Sequence, residues 1–288
     1  MFVESNYGNI LKYIAAPALK GAVILLGKRV ISVTSPETRS SGARVSVQTA
    51  DGDAFSFDEV VMTTPLGWLK HNLQIFSPPL PPRLTSAVNN LGLSQLEKVY
   101  ITFPSVFWTL DPAADTFPCY ANWLTPRYAE SSNPKAWPQE IWDLSSFKAP
   151  HNHPTILFYL YGDCSRYIVN MIYGKSAKEK FQLLDDFFRP YYSRLPGYSP
   201  GAEACEPKAI LATEWLKDDL AGGASYCNFP VGIEAADQDV LAFRQGCSDR
   251  RLWFCGEHAA PFEECGTVAG AYLSGEHAAE NIVKINSQ

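Results

Sequence analysis

Apolar positions along this chain recur with two periods, and together they sort it into helical and extended stretches. Between Gly8 and Leu19, Ile10, Leu11, Ile14 and Ala18 are spaced for one helix face, which predicts a helix stopped near Gly21. Short apolar runs follow at Val23 to Leu26, Val30 to Val33, Arg44 to Thr49 and Glu59 to Thr63, with a turn at Asp51-Gly52, and all read as strands. From Pro78 to about Gly232 the pattern changes. It predicts a helix over Leu84 to Leu91, strands at Val99 to Phe103, Ile156 to Tyr161 and Tyr167 to Ile172, a helix over Lys178 to Leu195, and a strand at Ala209 to Trp215. Neither period fits Asp111 to His153, rich in Pro, Trp and Asn, and this segment reads as a lid or substrate-facing excursion. Near the end come a buried strand from Leu252 to Cys255, a Gly-Glu-His turn, and a helix opened by Gly266-Thr267-Val268 that runs through Ala269, Gly270, Ala271, Ser274 and Gly275. The mixture predicts an α/β (α+β) fold.

Composition narrows the function classes. With 288 residues, 46% hydrophobic and 13% aromatic, the chain has ample material for a core. A net charge of −6 disfavours nucleic acid and mildly favours cationic ligands such as amines. Seven cysteines, odd in number and without C-x-x-C, suit free thiols in a reducing compartment. There is no basic stretch before an apolar core at Met1 to Tyr7, no apolar run of membrane-spanning length, and no peroxisomal tripeptide at Asn286-Ser287-Gln288, so the expectation is a cytoplasmic protein that does not engage a membrane.

The C-terminal strand, turn and helix carry the most chemistry. Glu257, directly after the strand, is placed to accept hydrogen bonds from sugar-like hydroxyls, and the small helix residues would let backbone approach a planar ligand. A plain strand and Ala/Gly-rich helix packed in an α/β core is the alternative that spacing alone leaves open. A metal site from Cys255, Glu257, His258 and Cys265 is set aside, because two of these alternate on a strand end and one lies in a loop. No Gly-x-Ser-x-Gly elbow supports a hydrolase.

Phe254-Cys255-Gly256-Glu257 followed by Gly266-Thr267-Val268-Ala269-Gly270-Ala271-Tyr272-Leu273-Ser274-Gly275 resembles the C-terminal flavin motif of the flavin-dependent amine oxidases, the group of polyamine oxidases, monoamine oxidases and flavin histone demethylases. Three further segments resemble that family in its own order: Val60 to Lys70 with Ile75 to Pro81, Leu96 to Phe103 with Phe107-Trp108, and Trp215 with Gly223-Ala224-Ser225-Tyr226, where Ala224 replaces the usual Gly. The resemblance implies FAD as cofactor and oxidation of a primary or secondary amine, a polyamine among the candidates, with hydride passing to flavin N5 and O2 as acceptor. It implies Lys98 and Tyr226 as catalytic residues, Lys98 orienting a water near N5 and Tyr226 forming one wall of an aromatic slot. For the cofactor it implies the Val30 backbone at the adenine, Trp215 near the ring, Glu257, and the Val268 backbone N–H at the pyrimidine edge. Thr267 stands where monoamine oxidases place a second slot tyrosine, so a two-tyrosine cage is not expected. The expected domains are a partial FAD-binding domain over 1–77 and 233–288 and a mixed-sheet substrate-binding domain over 78–232.

No G-x-G-x-x-G occurs in this sequence, although the family's pyrophosphate site depends on one. The chain therefore reads as a truncated product, a fragment or a descendant without the dinucleotide cradle. Two functions follow: an amine oxidase whose missing layer comes from a homo-oligomer or an N-terminal partner chain, or a catalytically silent remnant that binds a small molecule or a protein.

Overall fold

The computed structural model describes residues 6–40, 42–108 and 120–287. In chain order the helices are α1 Tyr7–Leu19, α2 Leu66–His71, α3 Pro82–Asn90, α4 Gly162–Ile172, α5 Ala177–Tyr192, α6 Ala236–Gln245 and α7 Val268–Asn286. The strands are β1 Val30–Thr34, β2 Val45–Thr49, β3 Ala54–Phe57, β4 Val60–Met62, β5 Phe76–Ser77, β6 Gly92–Ser94, β7 Leu96–Thr102, β8 Tyr120–Trp123, β9 Gln139–Asp143, β10 Thr155–Tyr161, β11 Ala209–Ala212, β12 Tyr226–Asn228 and β13 Leu252–Phe254. Packing divides them into two compact units, Leu25–Gln95 with Trp215–Gln288, and Met1–Ile24 with Leu96–Glu214. The expected domains 1–77 with 233–288 and 78–232 were assigned by ligand role, which packing alone does not address.

In the first unit a four-stranded mixed sheet has the order β3-β2-β1-β5; β1 pairs antiparallel with β2 and parallel with β5. A separate parallel pair joins β4 to β13 in the register Val60↔Leu252, Trp253↔Val61 and Met62↔Phe254. Residues from both ends of this unit thus share one core, in which Val33, Leu66, Leu84, Phe243 and Phe254 are buried and Val30 packs at the edge. Beside the parallel pair, Glu59 accepts a 2.8 Å hydrogen bond from Trp253 Nε1 and bonds from Arg39, Arg251 and Asn286. Burial alone would raise its pKa, but the Trp253, Arg39 and Asn286 bonds hold it below the usual carboxylate value.

The second unit is built on an antiparallel sheet, β11-β7-β10-β9-β8, so the mixed sheet lies in the other unit. Along β7 the burial alternates residue by residue, as a half-covered sheet requires. Helix α5 starts with a capping box: Ser176 Oγ accepts from Glu179 N–H, and Glu179 accepts from Ser176 N–H.

Three expected elements differ. Val23 to Leu26 forms no strand; no neighbouring strand pairs with it, and Val23 and Leu26 are exposed. Tyr167 to Ile172 lies in α4, because Cys164, Ile168 and Ile172 are buried four apart and define a helical face that the β-branched local sequence hides. The strand expected through Trp215 ends at Ala212, where Thr213 Oγ1 turns to Glu97 Oε2 at 2.6 Å. Of the expected lid, residues 111–119 lie outside the described residues; the remainder is mostly turns and loop but carries two strands, β8 and β9, which pair with each other, and β9 also pairs with β10. Among the described residues no helix is long and apolar enough to cross a membrane.

Candidate active site

A cavity of about 300 Å³ in the first unit is bordered by residues from four segments that the sequence places far apart: Thr63 to Gly67 after β4, Trp215, Ala224 to Tyr226 at β12, and Gly256 to His258 after β13, with Ala271 from α7. A larger groove of about 1210 Å³ shares Thr63 and Thr64 with it and runs past Val30, Val33, Val47 and Met62. The smaller cavity is bordered by Glu257 and His258, which carry buried polar atoms without protein partners, so it is the candidate site and the groove its extension.

Local structure explains how these side chains arrive. Gly256, at φ 147°, lets the chain leave β13 and turn into a short 3₁₀ segment, Glu257–Ala259. Glu257 Oε1 accepts from the Cys227 N–H at 3.1 Å, linking this turn to β12. Its other oxygen, Oε2, is buried with no hydrogen-bond partner in the protein, as are Thr64 Oγ1 and both ring nitrogens of His258. His258 is fully buried against the Phe243 ring at 4.8 Å, and desolvation pushes its pKa down to about 4. Across the cavity, Gly67 and Gly222 bring two backbones together: a Cβ on Gly222, whose φ is 75°, would fall 2.0 Å from the Gly67 carbonyl carbon.

Tyr226, Trp215 and Glu257 are brought together around the cavity. Val30 lies on the larger groove. Thr267 is the N-cap of α7, accepting from Gly270 N–H at 2.8 Å, and Val268 is the first helical residue and is exposed; neither borders the cavity, whereas Ala271, one turn further on, does. Lys98 is not among this group. It lies on β7 in the second unit, with Nζ 5.5 Å from the Tyr159 ring centroid and its N–H on Thr213 Oγ1 at 2.8 Å. Sequence reasoning missed Thr64 and set His258 aside as a metal ligand; the strand-to-Pro65 passage and the Gly-Glu-His turn were the available signals.

A carboxylate oxygen can only accept, so a buried Glu257 Oε2 without a donor fits a ligand rich in hydroxyl or N–H groups. Two adjoining concavities with a common wall suit an elongated molecule of that kind. The model for "Flavin containing amine oxidoreductase" matches residues 1–283. The chain belongs to this family. Membership implies FAD as the cofactor, and the residues around Glu257 fit it. Among similar proteins, "Lysine-specific histone demethylase 1 homolog 2" of Arabidopsis thaliana is 31% identical over 92% of this chain and 31% of its own length. The protein of that name from Oryza sativa subsp. japonica is 32% identical over 83% of this chain and 28% of its own. The solved structure of wild-type putrescine oxidase bound to putrescine superposes with a TM-score of 0.64 at 18% identity, covering 94% of this chain and 51% of that one. Cyclohexylamine oxidase from Brevibacterium oxydans IH-35A gives 0.61 at 16%, over 92% and 49%. These structures share the fold. The chain spans less than a third of the relatives' length and about half of the matched structures.

Proposed function

We propose that this chain forms the substrate-facing and ring-facing part of an FAD-dependent amine oxidoreductase acting on a primary or secondary amine. The observation that carries this is the partnerless Glu257 Oε2, buried at a cavity that Tyr226 and Trp215 also border. Bound flavin would supply a two-electron acceptor for an amine C–H and return the electrons to O2 as H2O2. The protein's share is to hold and orient. Glu257, the Val268 N–H and the Val30 backbone hold the cofactor, Thr267 fixes the helix start, and Tyr226 and Trp215 exclude water and align the amine. Lys98 orients a water for oxygen reactivity or imine hydrolysis. The relatives' names add methylated lysine and putrescine as substrate types to try, and the net charge of −6 favours such cations.

Because these 288 residues hold no G-x-G-x-x-G, a pyrophosphate seat has to come from another polypeptide segment, since a second copy of the same residues would lack it as well. Charge-assisted hydrogen bonds contribute roughly 1.5–3 kcal/mol each, so two or three fewer weaken FAD binding by about two orders of magnitude or more. Calorimetry on this polypeptide is expected to give an FAD Kd above micromolar, tightening when a relative's dinucleotide-binding segment is added, with Glu257→Ala weakening it again by about tenfold. Absence of FAD binding even with that segment present would sink the proposal. That result would favour the second reading, a catalytically silent binding module, which the absent fingerprint motivates.

A further inference from the structure

We propose that Cys265 and Cys227 form a peroxide-oxidisable dithiol beside the cavity, closing to a disulfide that ties β12 to the segment preceding α7. Their positions carry this. Cys227 follows Tyr226 on β12, and Cys265 precedes Gly266, where an added Cβ would lie 3.4 Å from the Tyr226 ring and 3.7 Å from the Cys227 carbonyl oxygen. The two segments are therefore in contact. Their thiols are within hydrogen-bonding reach of each other, and Glu257, which accepts from the Cys227 N–H, stands next to both. From hydrogen-bonding contact, a disulfide closes by side-chain torsion and a shift of the loop that carries Cys265.

The pair is also divided into two roles. Cys227 is buried and Cys265 only half-buried, so an incoming oxidant meets Cys265 first. The bond from the Cys227 thiol lowers the Cys265 pKa against the opposing effects of burial and the Glu257 charge. Cys227 is shifted the other way, upward, by that same bond and by burial. Burial raises Cys164 and Cys247 to about 11 and also raises Cys255, so these remain protonated and inert.

Balanced, the chemistry uses a hydroperoxide as oxidant. The Cys265 thiolate attacks one oxygen of H2O2, the O–O bond breaks, and hydroxide leaves, giving a sulfenic acid. The Cys227 sulfur then attacks Cys265 Sγ, the S–O bond breaks, and water leaves. In sum, two thiols are oxidised by two electrons and one H2O2 becomes two waters. This proposal rests on the cysteine geometry and not on amine turnover, because the peroxide is added as a reagent.

The experiment treats the purified chain with H2O2, alkylates the remaining thiols and maps them by mass spectrometry. Expected is a mass loss of about 2 Da, a Cys227–Cys265 linked peptide formed about tenfold faster than any modification at Cys247 or Cys255, and full reversal by dithiothreitol. Cys265→Ser is expected to leave Cys227 alkylatable at the same dose, and Cys247→Ser to leave the cross-link unchanged. A cross-link between other cysteines, or conversion of Cys265 to sulfinic or sulfonic acid with Cys227 still alkylatable, would overturn the proposal.

Discussion

His258 shows how one buried ring sets a pH dependence. Its folded pKa of about 4 lies below its ordinary 6.5, so the unfolded chain takes up a proton over a pH range in which the native one does not. Stability is unaffected above pH 6.5 and falls as the pH drops from 6.5 towards 4. The gap between 6.5 and about 4, at about 1.4 kcal/mol per pH unit, sets a ceiling of about 3.5 kcal/mol on the loss. His258→Phe keeps a ring against Phe243 and removes the titration, so its urea midpoint should vary less with pH across that window; an unchanged pH profile would count against the assignment. Lys98 is a matter of chemistry at the same scale. If an active holo form is assembled, Lys98→Met should keep the flavin spectrum and slow flavin reduction or reoxidation by about a hundredfold, whereas a surface lysine changes stability by at most about 0.5 kcal/mol. Single-turnover rates in both half-reactions decide between the two. Of the candidate residues, Glu257 and Tyr226 were legible because a strand end and a distinctive local motif expose them. Thr64 was not, because a threonine before a proline has no periodicity to betray a buried, partnerless hydroxyl.

Among elements, the close approach of α2 to the loop at Gly222 depends on two glycines. Gly222→Ala adds a Cβ in a left-handed conformation and within 2.0 Å of backbone, and should cost at least about 3 kcal/mol and disrupt the cavity wall. Gly232 has a φ of 89° and open space around it, so Gly232→Ala should cost only about 1–2 kcal/mol. Equal shifts in urea midpoint would show that the contact contributes nothing beyond the φ preference. Sequence pattern located elements best where one period dominated a long run, as in α5 and β10. It failed at α4, where Tyr167 to Ile172 is a β-branched run read locally as a strand, and at β3 and α6, which it did not foresee. What decided α4 was a face defined by Cys164, Ile168 and Ile172 against the core, a tertiary fact that a short window does not contain.

At the scale of the whole molecule, topology imposes an order of events. Val60 and Leu252 pair in register although they are 192 positions apart, and the whole antiparallel sheet is encoded between them. Closing that loop costs roughly 2.5 kcal/mol more than closing one of about twelve residues, and nothing offsets it until both strands are present. In arrested nascent chains, residues 96–214 should resist protease before residues 25–95 do; simultaneous protection would contradict this order. The parallel pair consequently acts as a late checkpoint during synthesis. While the ribosome is making the middle of the chain, the early strands wait with apolar side chains uncovered, and this half-made polypeptide is the form a chaperone would be most often called on to hold.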